Sequence, residues 1–237
     1  MELLYIMVWK VLLPGVPLYT NLGFLGFCNI SLIQSDGKNL IYDPGHFGNK
    51  EALLNSLKSI GLSVSDIDGV IVSHLHYDHS LNSLIFPKAK VYVSQREVEY
   101  ALSETSDPYI VNYLPTLLKD KLVKVKDGDE IYGLKFILLP GHTAGTMGTL
   151  YGDVLFVGDA IKYISDAKRR KTSFAYYNID EANESINKAL SIGKVIVPGH
   201  DIPFRIDENT ITPLVEYKNE LIIYLKNNIN IITKMEY

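Results

Sequence analysis

Three apolar runs in this chain of 237 residues stop at the same tripeptide: IYD-Pro44-Gly45-His46 (the run ending in Asp43), ILL-Pro140-Gly141-His142 and VIV-Pro198-Gly199-His200. Proline donates no N–H to a sheet ladder, and glycine allows the sharp backbone turn that follows. Each run therefore reads as a strand that leaves its sheet abruptly. The histidine after the turn then stands at the sheet's rim, where α/β proteins tend to place their ligands. The chain holds six histidines, and the other three fall in one hexapeptide, His74-Leu75-His76-Tyr77-Asp78-His79, directly after the run GVIVS. All of the histidine thus lies at strand ends or in one cluster.

The rest of the chain supplies elements to hold such rims. NISLIQSDGKNLIYD is two apolar runs around Asp36-Gly37, a hairpin signal. NKEALLNSLKSIG puts Ala52, Leu53, Leu57 and Ile60 along one helical face and stops at Gly61. AKVYVS, LKFILL, GTLYGD, VLFVGDA and KVIV read as strands, and SQREVEYALSE as a helix. IDEANESINKALSIG is a helix with Ile179, Ala182, Ile186 and Leu190 on its apolar side. The apolar N-terminus MELLYIMVWKVLLPG reads as a strand, because Lys10 interrupts it well short of a membrane span and no basic leader precedes it. TPLVEYKNELIIYLKNN, after Pro213, reads as an amphipathic helix. No Ser/Gly/Pro-rich linker divides the chain, so a single domain over residues 1–237 is expected. Strands and helices alternate in two halves, each able to make a sheet covered by helices on one face; packed sheet to sheet they give four layers. Other α/β or α+β arrangements satisfy the same pattern.

The histidine cluster carries the chemistry. A strand end holds alternate residues on one side, so His74 and His76 can converge on one ion. If the chain turns into a helix at the next step, Asp78 and His79 can face a second ion beside the first. A lone His-x-His would be no more than a surface turn. Here distant strand ends supply partners: His142 for the first ion, His200 for the second, and Asp159, after VLFVG, with two oxygens to bridge them. Imidazole and carboxylate without a nearby thiolate suit zinc, iron, nickel or manganese. Two such cations ionise a water held between them at neutral pH, and the hydroxide can attack a carbonyl or phosphoryl centre. Asp78 can also orient that water or accept its proton. No GxSxG nucleophile element is present.

The motifs DPG at 43–45, HLHYDH at 74–79, PGHT at 140–143, GD at 158–159 and PGH at 198–200 occur in an order that resembles the metallo-β-lactamase superfamily. The resemblance runs from about residue 28 to about 205. It implies an α+β fold of the four-layer αββα sandwich type with a two-metal site at one edge of the sheets. The implied ligands are His74, His76, Asp78, His79, His142, Asp159 and His200, with two zinc ions expected and iron or manganese as alternatives. Asp43 is implied to stand beside the site, and His46 to have no ligand role.

Departures from the family's branches narrow the substrate. Typical β-lactamases lack a bridging Asp at the position of Asp159, and the flavo-diiron proteins carry Glu where His76 stands. The quorum-quenching lactonases, similar in size and ligand set, place a Tyr three residues after the bridging Asp. Here that residue is Lys162, with Tyr163 next to it. The basic run Lys168-Arg169-Arg170-Lys171 offers an anion grip, and Tyr176 and Tyr177 offer stacking surfaces, although a solvated loop explains both. A net charge of −4, 47% apolar and 21% charged residues point to a soluble globular chain with a small-molecule substrate and no membrane role. The single cysteine, Cys28, excludes an intrachain disulfide and reads as a buried hydrophobe in a cytoplasmic, reducing setting. The expected activity is hydrolysis of an ester, lactone or thioester. Phosphodiester or nucleic-acid cleavage by the same site is the alternative.

Overall fold

Two twisted sheets, face to face, carry helices on their outer sides. The computed structural model describes residues 8–21, 23–208, 210–214, 218–225 and 229–236. The first half of the chain gives β1 (Val8–Leu13), the short hairpin β2 (Tyr19–Thr20) and β3 (Gly23–Phe24), β4 (Ile30–Ser35), β5 (Lys38–Tyr42), α1 (Lys50–Ser59), β6 (Gly69–Ile71), α2 (Tyr77–Ser80), β7 (Lys90–Ser94), α3 (Gln95–Leu102), α4 (Leu114–Leu118) and β8 (Leu122–Val125). The second gives β9 (Glu130–Ile131), β10 (Leu134–Leu138), β11 (Met147–Tyr151), β12 (Val154–Gly158), α5 (Ile164–Arg169), α6 (Ile179–Ile192), β13 (Val195–Pro198), β14 (Phe204–Asp207) and β15 (Thr210–Pro213). The sheet orders are β1-β4-β5-β6-β7-β8 and β15-β14-β13-β12-β11-β10-β9.

Alternation along the strands builds the layers. Leu40 and Tyr42 of β5 point between the sheets, and Ile41 points out beneath the first helices. Val154 and Phe156 of β12 face inward, while Leu155 and Val157 pack under α5 and α6; β13 repeats the pattern with Val195 and Val197 against Ile196. One apolar layer therefore lies between the sheets and one outside each of them, which is the four-layer αββα sandwich. Phe156 is fully buried, packs against the tilted ring of Tyr42 and meets Trp9 edge-on. Truncating a ring so placed costs about 3–5 kcal/mol. The sheets are also tied by polar bonds: Tyr42 Oη donates to the Met147 carbonyl at 3.1 Å, and Tyr151 Oη to that of Gln34 at 2.8 Å.

The expected β4–β5 hairpin forms, with Asp36 and Gly37 both at positive φ (50° and 70°), the conformation a two-residue turn of this hand requires. On α1, Leu53 and Leu57 are buried, but Ala52 faces solvent; on α6, Ala182, Ile186 and Leu190 are buried while Ile179 is 40% exposed. The helix expected after Pro213 is not found. Lys218–Leu225 and Ile229–Glu236 instead form an antiparallel hairpin, β16 and β17, paired from Lys218↔Glu236 to Leu225↔Ile229. The β-branched residues Ile222, Ile223, Ile229, Ile231, Ile232 and Thr233 favour a pleated strand, and the cross-strand ladder outweighs the helical spacing of the leucines. Among the described residues no helix is long and apolar enough to cross a membrane.

Strand direction positions the site. β5, β6 and β7 run parallel in the first sheet, and β12 and β13 run parallel in the second. β10 shares the direction of β12, because both are antiparallel to β11. The chain segments leaving β5, β6, β10, β12 and β13 carry Asp43, His74, His142, Asp159 and His200 respectively.

Candidate metal centre

These five strand ends meet at one edge of the sandwich, and each leaves its sheet by a local device. Gly141 adopts φ 130° and Gly158 φ 51°, the region that favours glycine. Gly199 is required for a different reason: a Cβ there would overlap Asp159 Oδ1. After β6 the chain runs extended through His76 and then turns into α2, which swings Asp78 and His79 to the other side of the cluster. Ser80 Oγ donates to the His76 carbonyl at 2.8 Å and holds that turn.

All seven expected site residues converge, and all are buried. Three donor groups form: His74, His76 and His142; His74, His79 and Asp159; Asp78, His79 and His200. Within each, the donor atoms lie within 4.8 Å of one another. His76 Nδ1 is 3.2 Å from His142 Nε2, and His79 Nε2 is 3.2 Å from His200 Nε2. Asp159 spans both sides. Its Oδ2 is 3.3 Å from His142 Nε2, and its Oδ1 is 3.3 Å from the Nε2 atoms of both His79 and His200. Asp78 Oδ2 is 3.3 Å from His200 Nε2. Tetrahedral coordination with bonds of about 2.0–2.1 Å separates neighbouring ligand atoms by about 3.3 Å, so the spacing matches a metal-binding set.

Two further observations fit a metal. His74 Nε2, Asp78 Oδ2 and Asp159 Oδ1 are buried without a hydrogen-bond partner, a costly state that a cation would relieve. Four of the five imidazoles also commit their other nitrogen to an oxygen: His74 Nδ1 to Ser73 Oγ (2.9 Å), His76 Nε2 to Asp107 Oδ2 (2.8 Å), His79 Nδ1 to Asp43 Oδ2 (2.8 Å) and His200 Nδ1 to the Phe27 carbonyl (2.7 Å). Such bonds fix the tautomer and aim a bare nitrogen at an ion.

The electrostatics agree. Burial pushes His74 and His142 well below the ordinary imidazole range, favouring the neutral form that binds metal. At His79 burial acts the same way, but Asp159, Asp78 and Asp43 outweigh it and raise the ring well above the ordinary imidazole range. Carboxylates that favour a proton on that ring favour a metal cation at Nε2 for the same reason. Burial opposes the charge of Asp159, yet Lys162, His200, His79 and His142 together hold it well below the usual carboxylate range.

The sequence of residues 23–200 matches the metallo-β-lactamase superfamily. The chain belongs to that superfamily. It is 31% identical over 164 residues to a metallo-hydrolase of Methanocaldococcus jannaschii, a match covering 68% of this chain and 70% of the relative. An N-acyl homoserine lactonase of a Bacillus species is 26% identical over 162 residues, 65% of this chain and 63% of that enzyme. Among solved structures, the dizinc quorum-quenching lactonase AidC, in complex with a product, superposes with a TM-score of 0.65 at 23% identity, covering 82% of this chain and 81% of the other. As a superfamily member the chain is a metal-dependent hydrolase.

Within that superfamily frame, several residues take roles the sequence did not disclose. Asp43, expected beside the site, accepts from Ser73 N–H and Ser73 Oγ as well as from His79. Asp107 lies 31 positions from His76 in sequence, and no local pattern links them. Glu97 of α3 is fully buried and accepts from Leu75 N–H (2.8 Å), Thr143 Oγ1 (2.7 Å) and Gly145 N–H (3.0 Å). It thereby ties the hexapeptide loop to the His142 loop. His46 stays outside the donor groups. Its Nδ1 accepts from Gly48 N–H at 3.1 Å to cap a short turn, and its ring stacks on Phe27.

Beside the cluster lies a pocket of about 420 Å³ walled by Tyr19, Tyr163, Phe174 and Tyr176, with Lys162 and Arg169 in its lining. The Tyr176 ring meets His76 and His142 edge-on at 5.0 and 5.5 Å, so this tyrosine borders the donor cluster. Tyr177 turns away, under Arg96 and against Tyr100. The basic run does not act as a unit: Arg169 pairs with Asp166 at 2.8 Å, Arg170 donates to Asn187, and Lys168 borders a separate crevice with Arg170 and Glu208.

Proposed function

We propose that the chain is a dinuclear metal hydrolase, acting as one catalytic domain, that cleaves a small ester, lactone or thioester. The observation that carries this reading is the spacing of donor atoms from seven buried residues, with most of the imidazoles steered from behind. In it His74, His76 and His142 would hold one ion and Asp78, His79 and His200 the other, with Asp159 placed between the two groups. Zinc suits this imidazole–carboxylate set, with iron or manganese as alternatives. Bound there, the metal pair supplies Lewis acidity and a water ionised at neutral pH. The protein's own part is positional. Asp78, at the edge of the donor set, orients the attacking water and accepts its proton; Asp43 and Asp107 hold His79 and His76 in register; the aromatic walls keep bulk water from the acyl group. Relatives named as metallo-hydrolase and lactonase support carbonyl chemistry. The dispersal of Lys168, Arg169 and Arg170 disfavours phosphodiester cleavage, because they form no stripe along which a nucleic-acid backbone could lie.

The test is elemental analysis of chelator-free protein, then a panel of acyl esters, lactones and thioesters beside bis-aryl phosphodiesters and short RNA. The expected result is two metals per chain and metal-dependent turnover of at least one non-activated acyl substrate. A stoichiometry that stays at one after metal addition removes the dinuclear reading. RNA cleavage with no acyl turnover reverses the choice of substrate.

A further inference from the structure

We infer that the pocket beside the donor cluster selects an aryl group, so that the site takes arylacyl thioesters or esters ahead of aliphatic ones of equal size; this rests on the hydrolase reading above and narrows its substrate class. The pocket, about 420 Å³, shares with the cluster the ring of Tyr176, which lies 5.0 Å from His76 and 5.5 Å from His142. Its apolar wall is aromatic: Tyr19, Tyr163, Phe174 and Tyr176 supply it, and among the described residues no Leu, Ile, Val or Met joins the lining. The rings come from separate segments. Tyr19 opens the short hairpin of β2 and β3, and its Oη lies 3.1 Å from that of Tyr163. Phe174 and Tyr176 stand on the loop before α6, at 85° to each other with ring centres 4.6 Å apart.

The wall chemistry decides among guests. Aromatic cages suit ammonium ions, but a cationic guest is opposed here. The chain's own ammonium, Lys162 Nζ, stands in this lining and already caps the Phe24 ring at 4.7 Å. An alkyl guest gains only the area it buries. A guest ring gains that area and, in addition, an edge-to-face or offset contact with each wall ring whose centre it meets at about 4.5–7 Å. Phe174 and Tyr176 already make one such contact, and perpendicular rings that line one space can meet a third by face and by edge. The mouth is also costly without a guest: Tyr19 is 63% and Phe174 57% exposed. A ring seated between them takes apolar surface out of water on both sides. Tyr176 then sets the distance to the chemistry. A ring packed on it lies beside the imidazoles of His76 and His142, so only a short linker separates that ring from the carbonyl to be cleaved. An arylacetyl group answers that description, and the pocket's size admits it.

The experiment compares the phenylacetyl and cyclohexylacetyl thioesters of N-acetylcysteamine on the zinc-loaded protein, with thiol release as the readout. Both are neutral and nearly equal in size. Cyclohexyl is the more apolar, so a pocket acting through buried area alone prefers it. The proteins are the parent, Phe174→Leu, which keeps an apolar side chain without the ring, and Phe174→Tyr, which keeps the ring. Binding of phenylacetamide and cyclohexylacetamide is measured calorimetrically on the same proteins, and their zinc content by elemental analysis. The parent should favour the phenyl member by about 3- to 10-fold, both in kcat/KM and in affinity. Phe174→Leu should bring both ratios down to about one or below, while Phe174→Tyr keeps them. Equal or better turnover of the cyclohexyl thioester by the parent overturns the inference and leaves the hydrolase reading standing, and so does a phenyl preference that is undiminished in Phe174→Leu. Absence of turnover of either thioester counts against the hydrolase reading alone. In that case the amides decide, and phenylacetamide binding to the parent no tighter than cyclohexylacetamide overturns the inference.

Discussion

On the proposed two-ion reading, replacing Asp107 by Asn should weaken binding of one metal ion and spare the other. His76 turns Nδ1 into the donor cluster and sets Nε2 2.8 Å from Asp107 Oδ2, with both side chains buried. The ring must therefore carry its proton on Nε2 and donate it to the carboxylate. Asp107 is itself held, accepting from Tyr109 N–H at 3.0 Å on Oδ1 and from Tyr100 Oη at 3.3 Å on Oδ2. In the Asn variant Oδ1 keeps the Tyr109 bond, so an NH2 replaces Oδ2 and faces the imidazole N–H. Donor then meets donor. The ring relieves the clash by moving its proton to Nδ1, the atom the metal needs bare, or by rotating away. Loss of such a partner lowers metal affinity by about 10- to 100-fold, or roughly 1.4–2.7 kcal/mol. The effect should fall on the ion of His74, His76 and His142 alone, because His79 is steered by a different carboxylate, Asp43. Competition against a chromophoric chelator, resolving two binding steps, reads this directly, with circular dichroism confirming the fold. Asp43→Asn should weaken the other step. Two affinities within about twofold of the parent in Asp107→Asn would refute the argument that the carboxylate sets the tautomer.

Asp159→Ala should abolish turnover and release at least one metal, whereas His46→Ala, which loses only a turn cap and a ring stack, should keep both; equal metal loss by elemental analysis would mean that His46 belongs to the donor set. At Asp68 burial favours the neutral acid, but the Asn39 N–H and the Lys38 ammonium outweigh it and hold the carboxyl below the usual range. A folded-state value below the unfolded one adds stability above the unfolded pKa that is lost as pH falls through the folded value. Asp68→Asn should therefore cost under about 1 kcal/mol at pH 7, since the pair is partly solvated, and the difference should vanish at acid pH when urea unfolding of parent and variant is compared.

Chain features that act locally were legible before the fold was known. The three Pro-Gly-His turns, the Asp36-Gly37 hairpin, the His-x-His-x-Asp-His hexapeptide and the Gly158-Asp159 step each announce a short-range geometry, and among them they supply the seven donor residues that meet at one rim. What stayed hidden depends on contacts between remote segments. Asp107 meets His76 across 31 positions and Glu97 meets Thr143 across 46, and neither spacing leaves a mark in the sequence. Lys162 was visible only as a substitution, because its contacts with Asp159 and Phe24 exist only in the folded chain. The segment after Pro213 was misread because leucines at helical spacing and a run of β-branched isoleucines give opposed signals, and strand pairing with a later segment decides between them.

The remote contacts also explain why the rim can stay rigid. Its loops leave two different sheets, and sheet packing alone would let them slide. Three bolts cross the gap. Glu97 gathers Leu75 N–H from one loop and Thr143 Oγ1 and Gly145 N–H from another; burial raises the pKa of its carboxyl, and these three donors are what make its charge tolerable there. Gly145 approaches so closely that a Cβ would overlap the Glu97 backbone nitrogen. Ser73 joins the rims a second time, accepting at its carbonyl from Met147 N–H at 2.9 Å while its own N–H binds Asp43. Asn29 does the same at the far end, donating to the carbonyls of Pro198 and Asp201 on either side of His200 and accepting from Gly15 N–H. The imidazoles so framed have little rotational freedom left to lose when an ion binds. The cost of ordering the donors was met when the sandwich folded, so most of the coordination energy is available for holding the metals and polarising what they bind.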